Sequence, residues 1–502
     1  MRPERCRIKK DARLSFIVRI SAMKQMSDIL AFQRNANNGW IFNGTNGNLR
    51  NNNRVNTNYA RVFHDSYSGK WKSLQSSLIP LAELYRWYFI CRKGKRNSRA
   101  QLEYEHEYPK HLRRLHDALN NREYIPAGSI WFILEYPTLR EVIAPEFPDR
   151  PVQTMWCKLV RPHIEKMLDD NSFACRIGRG SINAIGRFAE QLLEESDGGR
   201  RPCRIVKLDQ KSFFLHIYKP LLVEMYRNVI NDRFEGELRE FMGWLCEKLH
   251  LSCPQEHIRR EHPVSFAEGL PPYKRREMLP WHTGVDIGNR VAQMGGNFMS
   301  TLYLNVLRYF GYDLFVHYSD DAIIAIREDR LRQFLNIVMP ALRKKESEVR
   351  LELNERKFYC QDARHGVQAL GFFVKIKKGD IVILPDKRII HNLKRLAGWY
   401  IERATTGFIM AHKEDFVSRI NSHFGLLVHS NSFRIRCEVA RLITDSPWGR
   451  VIEFRQDYQS CRIKKRFTHI TIRKYLNNQY KQNIKNYGIN ITQNQCPQVK
   501  TA

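Results

Sequence analysis

Three carboxylates define the chemistry open to this chain. Asp320 and Asp321 are adjacent in "LFVHYSDDAIIAI" (314–326), between two apolar runs, and Asp209 closes "CRIVKLD". The apolar runs predict two strands joined by an acidic tight turn, and "CRIVKLD" predicts another strand ending in an acid. Carboxylates that converge at strand ends repel one another unless cations neutralise them. A pair of Mg²⁺ ions roughly 4 Å apart is the usual reason to gather them, activating an attacking 3′-oxygen and stabilising a leaving pyrophosphate. An isolated acidic turn is by default a solvated hairpin. Here apolar flanks on both sides and a second acid-terminated strand favour two Mg²⁺ ions, with Mn²⁺ as the substitute.

The elements that must carry these acids can be read along the chain. "LAELYRWYFICRKGKRNSRAQLEYEHEYPKHLRRLHDALN" predicts two helices with apolar stripes and basic outer faces. "SIWFILE" and "REVIAPE" predict short strands around a turn at Pro137 and Thr138, with helices following to about residue 195. After "CRIVKLD" and a further helical stretch comes "GLPPYKRREMLP", a proline-punctuated loop rich in base. "IGNRVAQMGGNFMSTLYLNVLRYF" then predicts a long helix. "LELNERKF" and "QALGFFVKI" predict two more strands, and beyond Pro385 the chain is basic and mainly helical until a polar stretch from Asn477. Near the start, "NANNGWIFNGTNGNLRNNNRVNTNYARVF" (35–63) is dense in Asn but interleaved with Trp40, Phe42 and Tyr59, which disordered linkers usually lack. It reads either as an ordered module contacting bases or an RNA partner, or as a lectin-like ladder whose amides satisfy turns.

Composition narrows the partners. In 502 residues, 83 Lys+Arg against 52 Asp+Glu leave +31, which implies a polyanion, nucleic acid before an anionic membrane. No segment approaches the roughly 18 apolar residues of a membrane span. The apolar start "LSFIVRI" is too short for a signal peptide. Residues 1–22 are basic, and Met23 or Met26 would serve equally as the start. Eleven cysteines without a C-x-x-C read as reduced thiols of a cytoplasmic protein.

The motifs together resemble reverse transcriptases. "YSDD" (318–321) resembles their Y-x-D-D hairpin, and "LDQKSFFLHI" (208–217) their D-I-K-x-F-F-x-x-I motif. "PTLREVIAPEFPDRPVQ" and "PHIEKMLDDNSFACRIGRGSINAI" resemble the two fingers motifs, in the expected order. "IGNRVAQ" (287–293) resembles the I-G-N-x-x-S-Q block, "LELNERKF" the L-x-L-N-x-x-K strand, and "ALGFFV" (369–374) the primer-grip strand. The resemblance is dense over residues 120–385. I-G-N, the loop "GLPPYKRREML" and "INSHFGLLVHSNSFRIR" (420–436) look like the prokaryotic branch containing diversity-generating retroelement and defence-associated (anti-phage) enzymes.

The resemblance implies an α+β, right-hand polymerase fold. Residues 1–75 would form a basic, Asn-rich N-terminal extension, 76–200 the fingers, 201–385 a palm with an antiparallel sheet, 386–445 a helical thumb, and 446–502 a basic tail. It implies an RNA-directed DNA polymerase using RNA, DNA and dNTPs, with a dedicated non-coding RNA, an accessory protein and homo-oligomerisation left open. Asp209 and Asp320 would hold both metals, with Asp321 as third ligand. Phe214 would exclude the ribose 2′-hydroxyl, or else pack in the core. Arg140 would clamp the triphosphate, or else pair with Glu141. Gln293 and Lys357 would face the dNTP, Lys357 donating a proton to pyrophosphate or stabilising the fold. Arg176 and Arg179 would touch template backbone, or belong to a solvated basic loop; Gly288, Asn289 and Gly371 complete the nucleic-acid contacts. Val285 and Asp286 replace the expected Leu-Pro, and Ala292 replaces the Ser of S-Q, so the part that holds template and nascent pair is altered. Anti-phage DNA synthesis is the favoured role, mutagenic copying of a template repeat the alternative. A non-catalytic nucleic-acid binder would explain the charge but has no need of three acids at strand ends.

Overall fold

Short β-branched and apolar runs bounded by Gly, Pro and acidic turns make the strands, and amphipathic stretches of 3.6-residue period make the helices between them. The computed structural model describes residues 78–93, 99–135, 139–253 and 256–468. The Asn-rich stretch, the turn at Pro137 and Thr138, and the polar stretch from Asn477 lie outside the described residues. The chain divides into two units, Met1–Pro80 and Leu81–Ala502; the elements below belong to the second, a mixed α/β assembly with mainly antiparallel sheets.

Three helices open it, α1 (Leu81–Arg92), α2 (Arg99–His106) and α3 (Tyr108–Asn120), where two were expected. Pro109 in the first turn of α3 lacks the N–H that would continue α2, so the stretch breaks at Glu107. Strands β1 (Ser129–Leu134) and β2 (Arg140–Pro145) pair antiparallel as expected. Helices α4 (Asp149–Glu165) and α5 (Ser181–Glu195) lead to β3 (Cys203–Asp209). A single helical turn, α6 (Phe213–His216), precedes α7 (Lys219–Arg233) and α8 (Gly236–His250). The sequence reading missed β4 (Ile258–Arg260), which joins β1 in parallel.

After α9 (Arg290–Tyr309) come β5 (Phe315–Tyr318) and β6 (Asp321–Arg327), the two strands of the acidic hairpin. The chain then runs through α10 (Glu328–Gln333), a π turn and α11 (Met339–Glu348). "LELNERKF" does not form the expected strand. It curls into a 3₁₀ turn at Glu355–Lys357, and the strand β7 (Tyr359–Asp362) begins only afterwards. "QALGFFVKI" splits into β8 (Val367–Ala369) and β9 (Phe372–Lys377) about a two-residue turn, with β10 (Asp380–Pro385) pairing on β9.

The central sheet has the order β5-β6-β3-β7. Strand β6 is buried along both faces, which explains its unbroken apolar run "AIIAI". Phe188 and Leu192 of α5, Ile205 of β3, Val316 of β5, Ile323 of β6 and Phe372 and Val374 of β9 share one core. Strands, helix and the β8-β9-β10 sheet thus fix one another.

Helices α12 (Lys387–Glu402), α13 (Thr406–Leu427) and α14 (Phe433–Asp445) follow, as the basic helical stretch predicted. Their packing carries past residue 445. Trp448 stacks on Phe416 at 4.1 Å between ring centres and donates its indole N–H to the Tyr400 carbonyl at 2.8 Å. A hairpin of β11 (Ile452–Phe454) and β12 (Cys461–Ile463) adds Ile452 and Cys461 to the same core. No helix among the described residues is long and apolar enough to cross a membrane.

His250, at the end of α8, gives this fold an acid-sensitive point. It is buried between Trp156 and the face of Tyr226, and burial, then the charge of Lys219, pushes its imidazole down to about 3. The unfolded chain takes up that proton near pH 6.5, so the contribution is complete above that pH and is lost as pH falls from there towards 3. His250→Phe keeps the ring stacking and removes the proton site. Between pH 6 and pH 4 the parent should lose about 2 to 3 kcal/mol more unfolding free energy than the variant in urea titrations.

Candidate active site

Antiparallel pairing brings the acids together. Asp209, the last residue of β3, stands directly opposite Asp321, the first of β6, and Asp321 also pairs with Tyr318 of β5. Ser319 and Asp320 form the two-residue turn between β5 and β6. Ser319 has φ +62°, a left-handed value that the tight turn imposes on a residue other than glycine. The Gln210 N–H donates to the Asp320 carbonyl at 2.9 Å, which ties the turn to the residue after Asp209.

Asp209 is buried, Asp320 and Asp321 partly so, and protein cations stand beside Asp209 and Asp321. Asp209 is 5% exposed; one of its oxygens accepts from Lys357 Nζ at 2.9 Å and the other from Asn354 Nδ2 at 3.0 Å. Lys207, two residues before Asp209, places Nζ 3.2 Å from Asp321 Oδ1. Burial, followed by the neighbouring charges of Asp321 and Asp209, pushes the Asp320 carboxyl up to about 6. Burial also raises Asp321, against the opposing pull of Lys207. The Lys357 ammonium is held above its usual range by its hydrogen bond to Asp209. Among the described residues, no three His, Cys, Asp or Glu side chains stand close enough to hold a metal ion as placed. The donors nevertheless fit a hard divalent cation in kind: carboxylate oxygens, mutually repelling, with protons bound more tightly than usual at Asp320. The curl of "LELNERKF" also finds its reason here, because Asn354 donates its backbone N–H to the Asp209 carbonyl at 2.8 Å.

Beneath the turn lies a residue that the sequence reading did not single out. His317 is fully buried; its Nε2 is 2.7 Å from the Ser319 carbonyl and its Nδ1 2.8 Å from Ser172 Oγ. A carbonyl can only accept, so Nε2 carries the hydrogen and Nδ1 accepts from the Ser172 hydroxyl. Burial pushes the ring down to about 4, so it stays neutral. The segment Asn171–Phe173 also pins β5 through its backbone: His317 N–H donates to the Asn171 carbonyl at 2.8 Å, and Phe173 N–H to the His317 carbonyl at 2.9 Å. The signal available beforehand was a His at an inward position of an apolar strand. Gln210 and Glu346 form a second buried support, with Gln210 Nε2 donating to a Glu346 carboxyl that burial raises to about 7.

The other expected residues lie as follows. Phe214 sits on α6 half-buried, edge-on to the buried Phe213 and over Gly296 of α9, where a Cβ would come within 2.8 Å of its ring. Arg140 is exposed at the start of β2, whereas Glu141, the alternative surface partner, lies inside. Glu141 is buried and accepts from Trp131 Nε1 at 2.7 Å and from the Arg276 backbone N–H. Gln293 is exposed in the first turn of α9. Arg176 turns inward instead of towards a template or solvent: it donates to Glu165 Oε2 at 2.7 Å and to the carbonyls of Asp169 and Ser172 at 2.6 and 2.8 Å. Arg179 holds Asp170 and lies over the Phe173 ring. Asn289 caps α9, its side chain accepting from Val291 N–H at 3.0 Å. Gly288 lets this cap approach β2, since a Cβ there would meet the Ile143 carbonyl oxygen at 2.7 Å. Leu370 and Gly371, at φ +51° and +88°, make the β8-β9 turn.

No protein-family profile matches this chain, and no curated protein matches it. Among solved structures it is similar to telomerase from Candida albicans in complex with the TWJ fragment of telomeric RNA, at 11% identity and a TM-score of 0.38, over 69% of this chain and 59% of that one. It is also similar, at 12% identity, to apo telomerase from Candida tropicalis, with a TM-score of 0.36 over 64% of this chain and 60% of the other. The Candida tropicalis enzyme in complex with the TWJ fragment gives 12% identity and a TM-score of 0.37, over 64% and 55% of the two chains. This chain spans less than two thirds of the length of these structures, and at such scores the backbones superpose only loosely.

The support beneath the turn makes a specific expectation. His317→Ala leaves the Ser319 carbonyl without its donor and opens a cavity, so it should lower unfolding free energy by about 2 to 4 kcal/mol in urea titrations. His317→Gln, whose amide can donate to the same carbonyl, should recover part of the loss.

Proposed function

We propose that this chain is a reverse transcriptase, an RNA-directed DNA polymerase that adds dNTPs to a 3′ end by two-metal phosphoryl transfer. The observation that carries the reading is the direct cross-strand pairing of Asp209 with Asp321, beside a turn that presents Asp320. Asp209 and Asp320 would hold two Mg²⁺ ions, with Asp321 as third ligand. The ions would supply activation of the 3′-oxygen and charge neutralisation at the leaving pyrophosphate. The chain's own groups then position and protonate. Lys357 Nζ, charged and next to Asp209, is suited to give a proton to the departing pyrophosphate. Arg140 at the exposed end of β2 would grip the triphosphate through its guanidinium fork. Phe214, with its ring against Gly296, would bar a 2′-hydroxyl.

RNA and DNA are the expected partners of the +31 chain. The reading at the level of biological role is an anti-phage enzyme, supported by the altered block at Val285, Asp286 and Ala292, with mutagenic copying as the alternative. A dedicated RNA or accessory protein belongs to the same reading, and sequencing the nucleic acid that co-purifies with the chain tests it. One observation favours a second reading, a non-catalytic nucleic-acid binder: Lys357 and Lys207 each form an ion pair with one of the acids, Asp209 and Asp321.

Mg²⁺-dependent incorporation of labelled dNTPs on a primed template separates the two. Asp209→Asn and Asp320→Asn should each reduce incorporation to background while circular dichroism and melting remain those of a folded chain. Full activity in either variant, or none in the parent, favours the binder. On the active parent, Phe214→Ala should raise rNTP incorporation relative to dNTP by about tenfold or more, since the space beside the sugar opens. Unchanged discrimination would assign Phe214 to packing alone.

A further inference from the structure

We propose that Asp286 is a positioning residue that, through Arg276 and Glu141, sets the sugar discrimination of the site; this rests on the polymerase reading above.

Arg276 lies in the basic loop that the sequence marks as prolines and cations, yet it is only 2% exposed. Its backbone N–H donates to one oxygen of Glu141, whose other oxygen accepts from Trp131. Its Nε stands 3.3 Å from Asp286 Oδ1. Asp286 occupies the position where the motif resembled by this segment carries proline, and a residue needed only to fill space there would be apolar. The two residues before Asp286 bracket the segment that bears Phe214: Val285 N–H donates to the Phe214 carbonyl and Gly284 N–H to the Ile217 carbonyl, both at 2.8 Å. Glu141 directly follows Arg140. One buried chain of polar contacts therefore joins the strand end proposed to grip triphosphate with the turn proposed to bar the 2′-hydroxyl.

Such a chain is directional in a way that apolar packing is not. A buried ion pair contributes little net stability when both partners are present, and breaking one side leaves a charge uncompensated. Its contribution lies in orientation: the hydrogen bonds of Glu141 to Trp131 and to the Arg276 backbone fix angle as well as distance, and the Asp286 carboxylate, at ion-pair distance from Arg276 Nε, holds the guanidinium against that frame. If Asp286 lets go of Arg276, Val285 loses its anchor and the carbonyl it holds on Phe214 can shift. The ring would then move away from the sugar.

The test compares kcat/KM for a dNTP and the matching rNTP on one primed template, in the parent, Asp286→Asn, Phe214→Ala and the combination. Asp286→Asn should reduce the dNTP-over-rNTP preference about five- to tenfold, mainly through opposite changes in the two KM values, with kcat for dNTP kept within about threefold. In the Phe214→Ala background the same substitution should remove no further preference, because the two act through one element. A preference unchanged in folded Asp286→Asn, or effects that multiply with Phe214→Ala, overturns the proposal. Should Asp286→Asn not fold, the paired variant Arg276→Met/Asp286→Leu leaves no orphan charge. Lost preference in it supports the strut, and parental preference in it, or its own failure to fold, overturns a role in positioning. A parent that incorporates neither nucleotide overturns the polymerase reading and this proposal with it, whereas an active parent with an indifferent Asp286→Asn overturns this proposal alone.

Discussion

Like charges facing one another across paired strands are the constraint on which the rest of this structure depends. Residues directly opposite in an antiparallel pair have Cβ atoms about 5 Å apart, and two acids at that spacing destabilise the pairing. Asp209 and Asp321 occupy such a pair, and Asp320 stands in the adjoining turn. The fold offsets this locally: Lys357 and Asn354 take the two oxygens of Asp209, and Lys207 approaches Asp321 from the same strand as Asp209. The departure of "LELNERKF" from a strand is part of the same solution, since only a chain that curls back can put both Asn354 and Lys357 on Asp209.

Acids that are costly to bury must also be stiffly held, and the layer beneath them is built from groups whose charged forms burial disfavours. His317 stays uncharged and spans from the Ser172 hydroxyl to the Ser319 carbonyl. Glu346 binds its proton more tightly than an ordinary carboxyl and meets Gln210, whose N–H holds the turn. A charged support there would add a further ion to an already repulsive cluster; neutral donors and acceptors give direction without charge. The left-handed Ser319 fits this view. A strained residue persists where its surroundings over-determine it: the Ser319 carbonyl accepts from His317 and the Asp320 carbonyl beside it from the Gln210 N–H.

What could be read from sequence was whatever repeats with a period or ends with a turn. The two acid-bearing strand ends with the acidic turn between β5 and β6, the strands β1 and β2, and the helices beyond Pro385 all follow from local pattern, and they emerged as expected. Apart from the helix break, the misses share one cause, which is long-range contact. Pro109 splits a helix locally, but β4 exists only because β1 offers a parallel edge, and "QALGFFVKI" breaks because Leu370 and Gly371 must turn back on the same core. Arg176 reads as a template contact or a solvated base until the carbonyls of Asp169 and Ser172 are brought around it. Glu141 reads as a surface acid until Trp131 and Arg276 close over it. The types of the site residues were legible; which neighbours would hold them was not, because those neighbours are distant in sequence.

The neighbours have a common position. Gln210 follows Asp209, Glu141 follows Arg140, and Asp286 follows the residue whose N–H holds Phe214. Each is buried or nearly so, each is polar, and each meets a polar partner on another segment: Glu346, Arg276 with Trp131, and Arg276 again. Apolar residues at these positions would bury more surface at less electrostatic cost, but the hydrophobic effect is non-directional and fixes only how close two segments lie. A side chain one peptide removed from such an anchor inherits a fixed backbone orientation, and with it a narrow range of directions for its own Cβ. Polar burial beside Asp209, Arg140 and the segment that holds Phe214 is therefore the physical means by which a loosely patterned sequence can hold several side chains from distant segments at defined angles to one another.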